Sequence, residues 1–144
     1  MRHPDPYAAF RFVVEVDGTV AGGFSEATGF DVETEIEDVR EGGVNDHTHR
    51  LAKHTKYTNL TLKRGLTDRE DLWAWRQEVV AGRVWRRTIS VILRDEADRE
   101  AWRWVFRDAW PVKWAGSGVN AATSGVFVET VEFAHHGITR IPGA

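Results

Sequence analysis

Cysteine is absent from this 144-residue chain, which excludes a disulfide framework and thiolate chemistry. Positive charge is not in excess either. With 19 Lys and Arg against 22 Asp and Glu, the formal net charge is -3, so the overall electrostatic drive of a nucleic-acid binder is missing. No apolar run approaches the length of a bilayer span or a secretory signal. The expectation is synthesis in the cytoplasm without a signal peptide, and no specific nucleic-acid or membrane binding. Internal repeats and low-complexity tracts are also lacking, so a single domain over residues 1–144 is expected. A chain of this size can bury roughly two thirds of the surface it exposes when unfolded.

What is present is β-patterning and aromatic bulk. Seven Trp and seven Phe suit a large core or aromatic anchors at an interface. Phe10, Phe12, Val14 and Val16 alternate with polar residues as in a half-buried strand, and Asp17-Gly18 supplies the positive φ angles of a tight hairpin turn returning through Val20 to Phe24. Gly22 and Gly23 leave room for a bulge or a close neighbour. Further strands are predicted over 57–64, 88–94, around Trp102, Trp104 and Phe106, and over 126–135. Thr67-Asp68-Arg69-Glu70 reads as a capping box opening a helix to about Ala81, with Leu72, Trp75 and Val79 as its apolar stripe and Gly82 as its terminator. Pro111 and Gly116-Ser117-Gly118 predict a loop-rich crossing, and Pro142-Gly143-Ala144 a frayed end. The chain is thus expected to be mainly β, with about seven strands and one helix.

Between Phe30 and Glu37 the alternation is clean. Phe30, Val32, Thr34 and Ile36 share one face; Asp31, Glu33, Glu35 and Glu37 share the other. Same-face neighbours on a strand lie about 7 Å apart, so four carboxylates in a row repel and must face water or a basic partner. Residues 38–56 show no period and predict an extended loop. This arm is electrically divided: residues 31–46 hold seven acids and one Arg, whereas 47–66 hold no acid but carry Arg50, Lys53, Lys56, Lys63 and Arg64. Such a dipole suits head-to-tail contact between identical copies. A solvated loop is the plain alternative.

Candidate chemistry is weak throughout. His47 and His49 could share a metal, but no third ligand is identifiable; His135 and His136 are adjacent and point apart. The acidic face offers no asymmetry to split carboxylate pKa values. Ser25 lacks a nucleophile elbow, and Gly116-Ser117-Gly118-Val119-Asn120-Ala121 matches a dinucleotide fingerprint without a helix to follow. Asn59-Leu60-Thr61 is a glycosylation sequon with no secretory context. Trp85-Arg86-Arg87 and Trp102-Arg103-Trp104 interleave bases and aromatics, which strand alternation explains. No catalytic residue, metal site or cofactor is expected, and the chain is expected not to be an enzyme. A small ligand-binding or adaptor β-barrel is the alternative to a self-assembling subunit.

Ordered strings carry a resemblance over nearly the whole chain: Phe10 to Gly18, Gly23-Phe24-Ser25-Glu26, Glu33-Thr34-Glu35, Arg40-Glu41-Gly42-Gly43, Lys56 to Gly65, Leu72-Trp73-Ala74-Trp75, Trp110 to Trp114, and Glu129 to Gly137. The chain resembles the tail tube proteins of contractile phage tails, most closely the inner tube subunits of bacterial extracellular contractile injection systems. The resemblance implies two packed antiparallel sheets in a β-sandwich or barrel-like fold with one flanking α-helix. It also implies a homohexameric ring that stacks into a hollow tube. Implied partners are further copies of the chain, a sheath protein, baseplate and cap proteins, and luminal cargo, in a particle whose release from the cell the reading allows. The region matching the family's inter-ring loop is 38–56, with Arg40, Glu41, Asp46, Arg50, Lys53 and Lys56 as expected contacts. Asp31, Glu33, Glu35 and Glu37 are expected to line the water-filled lumen, with the outer wall as the rival location.

Overall fold

A computed structural model describes residues 11–40, 48–65, 67, 69–117 and 127–143. Its first unit is the expected hairpin. β1 (Arg11–Val16) and β2 (Thr19–Phe24) are joined by Asp17 and Gly18, both at positive φ (50° and 83°), the conformation of a type I′ turn. A register shift opposite Val14 and Glu15 forms a bulge on the return strand, and Gly22 lies within it at φ 131°. The room left by its missing side chain is filled by the guanidinium of Arg64, since a Cβ there would meet Arg64 Nη1 at 3.2 Å.

After the short β3 (Glu26–Thr28) come β4 (Val32–Arg40), β5 (Thr48–Tyr57) and β6 (Leu60–Gly65), then the single helix α1 (Asp71–Val80). β7 (Arg87–Arg94), β8 (Glu100–Gly116), β9 (Val128–Ala134) and β10 (Ile138–Pro142) complete the order. β8 organises the whole. One of its edges pairs with β7; its other edge pairs with β10 along Trp102–Phe106 and with β9 along Trp110–Gly116. Its N-terminal half therefore belongs to one wall (β2-β1-β7-β8, with β10) and its C-terminal half to a second wall (β8-β9-β6-β3). Pro111 does not break this strand, contrary to the crossing expected there, because it sits at a register shift where a missing N–H is tolerated. At the far side the walls meet where Ser25, between β2 and β3, donates both its amide (2.9 Å) and its hydroxyl (3.1 Å) to the Lys63 carbonyl on β6.

The core lies between the walls: Val14, Phe24, Ile89, Val91 and Phe106 from one, Leu60, Leu62, Val131 and Phe133 from the other, all buried. Each such side chain contributes about 1.5–3 kcal/mol on leaving water. Leu72 and Trp75 close α1 onto this core, and the Trp75 indole N–H donates to the Trp85 carbonyl at 2.8 Å. Gly82 ends the helix at φ 90°, as expected. The capping box does not form. The N-cap is Glu70 with no side-chain cap, while the Thr67 hydroxyl accepts from the Arg69 amide two residues on.

The most deeply buried charged side chain among the described residues is paired. Arg64 is 4% exposed, stacks over Phe24 at 4.8 Å, donates to the Ala21 carbonyl and faces Glu129 at 3.7 Å. On the other face of the first wall, Arg103 reaches across β7 to Glu15 on β1 (2.9 Å) and to Glu100 (2.9 Å), bonds that raise its pKa further. Pro142 and Gly143 are not frayed as expected, and Ala144 lies outside the described residues. Pro142 pairs with Trp102, and the Gly143 amide donates to the Ala101 carbonyl. Three strands thus escaped the sequence reading: β3, too short for a period, β10, whose exposed residues show none, and β5, which lies in the stretch expected as a loop.

Gly29 combines φ 99° with close approach of the Asn59 carbonyl, which a side chain would strike. Gly82 has the same sign of φ but open space around it. Gly82→Ala should cost about 1–2 kcal/mol of unfolding free energy from backbone strain alone. Gly29→Ala should cost more, and denaturant unfolding of the two variants side by side checks the order.

Candidate assembly surface

β4 and β5 form a sheet of their own, off the two walls. The stretch 38–56, expected as an extended loop, is therefore mostly strand; residues 41–47, between the strands, lie outside the described residues. The physical reason is exposure. A ribbon bare on both faces needs no alternation of apolar residues, so its sequence shows no period. Its root is continuous with the second wall: Glu26↔Lys63 and Thr28↔Thr61 within the barrel, and Val32↔Tyr57 and Glu33↔Lys56 beyond it, keep one register across a break at residues 29–31 and 58–59. Phe30 turns back at this break to pack on Trp104 (5.2 Å) and Phe106 (5.6 Å). On the other strand, buried His135 bonds to the Thr58 carbonyl through Nε2 (2.9 Å) while its Nδ1 accepts from the Gly137 amide (3.2 Å), an arrangement that assigns the proton to Nε2.

Farther out, the register slips between Thr34 and Ile36, where Lys53 and His54 both oppose Glu35. The bulge concentrates charge on one carboxylate: Lys56 Nζ reaches Glu35 at 2.6 Å and His54 Nε2 at 3.1 Å. Asp38 pairs with Arg50 at 3.6 Å, and the Thr34 and Thr55 hydroxyls bond at 3.0 Å. The acidic and basic halves of the arm thus meet within one hairpin, where the sequence suggested contact with a neighbour. Among the described residues Asp31, Glu33 and Glu37 have no ion pair, and neither does Lys53. Glu41 and Asp46 lie outside the described residues, as does the Arg40 side chain.

The apolar face of the β4 alternation is bare. Val32 is 53% and Ile36 60% exposed, with Leu51 on the opposite face at 51%. Apolar side chains on both sides of a projecting ribbon are the hallmark of a surface that another chain covers. The alternation of Val32, Thr34 and Ile36 held this signal, but a strand pattern alone does not say whether the covering layer belongs to the same chain.

The Lys56 hydrogen bond, ahead of the weaker pull of His54, holds the Glu35 carboxyl below its ordinary value of 4.5 and raises Lys56 in turn. A lowered folded-state pKa means that the pair supports the hairpin above pH 4.5 and loses that support as pH falls through the lower folded value. Carboxyl chemical shifts should show Glu35 titrating below 4.5, and Lys56→Met should return it towards 4.5.

Comparison with known proteins follows the same lines. In the sheath–tube complex of the PVC extracellular contractile injection system, in its extended state, a chain 19% identical superposes with a TM-score of 0.84, covering 96% of this chain and 93% of that one. In the tube-terminating cap of the anti-feeding prophage the values are 19%, 0.85, 99% and 95%. Hcp1 from Flavobacterium johnsoniae is 15% identical, with a TM-score of 0.57 over 93% of this chain and 97% of its own. No curated protein matches the sequence. The model of the T4-like virus tail tube protein gp19 family matches residues 8–139, and the chain belongs to that family.

Proposed function

We propose that this protein is a non-enzymatic structural subunit of the inner tube of a contractile injection system. In this reading its hexameric rings stack into a hollow tube inside a sheath, meet baseplate and cap proteins at the ends, and carry cargo. Family membership over residues 8–139 supports the tube. The observation that supports assembly through this particular chain is the β4–β5 ribbon, exposed on both faces with Val32, Ile36 and Leu51 uncovered. An open ribbon is a liability in a lone subunit; pairing or covering its edges in a ring removes it. The ribbon, including Arg50, Lys53 and Lys56, is the part proposed to reach the adjoining subunit.

Asp31, just before β4, and Glu33 and Glu37 on it have no ion pair among the described residues and are proposed to face the lumen, where like charge keeps acidic cargo from adhering. Their reversal to Lys should then alter cargo loading. A change in sheath attachment instead would put them on the outer wall.

Electron microscopy and mass measurement of the purified chain test assembly itself. Rings or tubes are expected, and Ile36→Glu should abolish them while leaving thermal unfolding of the subunit within about 0.5 kcal/mol, since the site is exposed. A strict monomer that stays so with baseplate partners present sinks the proposal.

A further inference from the structure

A second feature of the surface is a cleft of about 470 Å³ between the start of α1 and the C-terminal end of β8. Its walls are aromatic. Trp73 and Trp114 meet edge to face, ring centroids 5.1 Å apart and planes at 82°, with Phe127 beside them. Its polar groups include two acids. Glu70 stands at the rim, exposed and without an ion pair among the described residues. Glu129 lies deeper, its side chain 12% exposed and ion-paired with Arg64 at 3.7 Å, a distance at which Arg64 Nε makes no hydrogen bond to it. Among the described lining residues the one cation, Arg69, is already turned to the Val20 carbonyl and Asp71. Aromatic faces with two carboxylates at the end form a receptor for a cation on an apolar stem, which lays its methylenes along the rings and its charge on the acids.

We infer that this cleft receives the Lys53 side chain of a second copy of this chain, an assignment that rests on the tube reading above. Three observations select that occupant. β4 and β5 pack chiefly on one another, so the ribbon is the narrow part of the molecule able to enter a cleft. Of the cations on β5 whose side chains are described, Lys56 and His54 are held by Glu35 and Arg50 by Asp38. Lys53 alone among these lacks an ion pair, and it sits in the bulge, where the strand's alternation slips, with its side chain exposed. Lys53 on one copy and the cleft on the next make a head-to-tail contact, the kind that propagates into a ring or a stack.

The test begins with assembly. Lys53→Glu, Glu70→Lys and Trp73→Ala should each raise the chain concentration needed for rings or tubes about tenfold or more, with far-ultraviolet circular dichroism unchanged. The double variant Lys53→Glu/Glu70→Lys should recover much of the loss. The absence of native cysteine makes a direct proximity test clean. Lys53→Cys/Glu70→Cys, assembled and treated with a short bismaleimide, which suits a gap spanned by a lysine better than a disulfide does, should give a ladder of covalent multimers. Each single-cysteine variant should give dimers at most. Wild-type tubes with no ladder, or single variants that assemble like wild type, overturn the Lys53 contact and leave the tube reading standing. A wild-type chain that never assembles removes both. Unimpaired rings in Glu70→Lys and Trp73→Ala, with loss of a separate cationic partner, would give the cleft to another protein and likewise overturn this assignment.

Discussion

Seventeen consecutive extended residues, Glu100–Gly116, run through both walls of the subunit, and no other element touches as much of the molecule. A strand that long cannot stay flat, because right-handed twist accumulates with every residue. β8 relieves it at Asp108, at φ 52°, and at the register shift beside Pro111. Those irregularities turn one strand into two, so that β7 and β10 are held in the first half and β9 in the second. The barrel-like closure, the enclosed core and the seat for α1 all follow from that turn. Gly137, where the Arg107 guanidinium fills the place of a Cβ, marks the same corner on the neighbouring edge.

Sequence patterning was readable wherever one face of a segment meets this core. β1 and β2 with their Asp17-Gly18 turn, β7, the inward face of β8 and the stripe of α1 could be predicted because burial imposes a period of 2 or 3.6. It was unreadable where burial is absent or two-sided. β7 has five consecutive buried residues, so its faces could not be told apart although its existence could. β10 and β5 are largely exposed and leave no trace. β8 was misjudged at Pro111 because a proline in a bulge and a proline in a loop look alike in one dimension. The capping box at Thr67 failed for a related reason: the motif matched, but the helix starts one turn later.

The candidate surface shows the same division. The charges of the arm could be counted, but who pairs with whom depends on register, and a single bulge decided it by placing both Lys53 and His54 across from Glu35. The sequence pointed to the arm as the assembly element and expected a loop; the arm is instead a paired ribbon exposed on both faces. The aromatic cleft was invisible, because Trp73, Trp114 and Phe127 lie on three separate segments and only the packing of α1 against β8 unites them.

The bulge in β5 also has a consequence for how such chains can diverge. Side chains on a paired ribbon alternate with a period of two, and the extra residue offsets the outer part of β5 by one step relative to its root. Removing or adding one residue at Lys53 or His54 would leave the barrel untouched and exchange the inner and outer surfaces of the far end of β5 in a single step. A lineage could thereby alter which chemistry its arm presents through one codon, without remodelling the core.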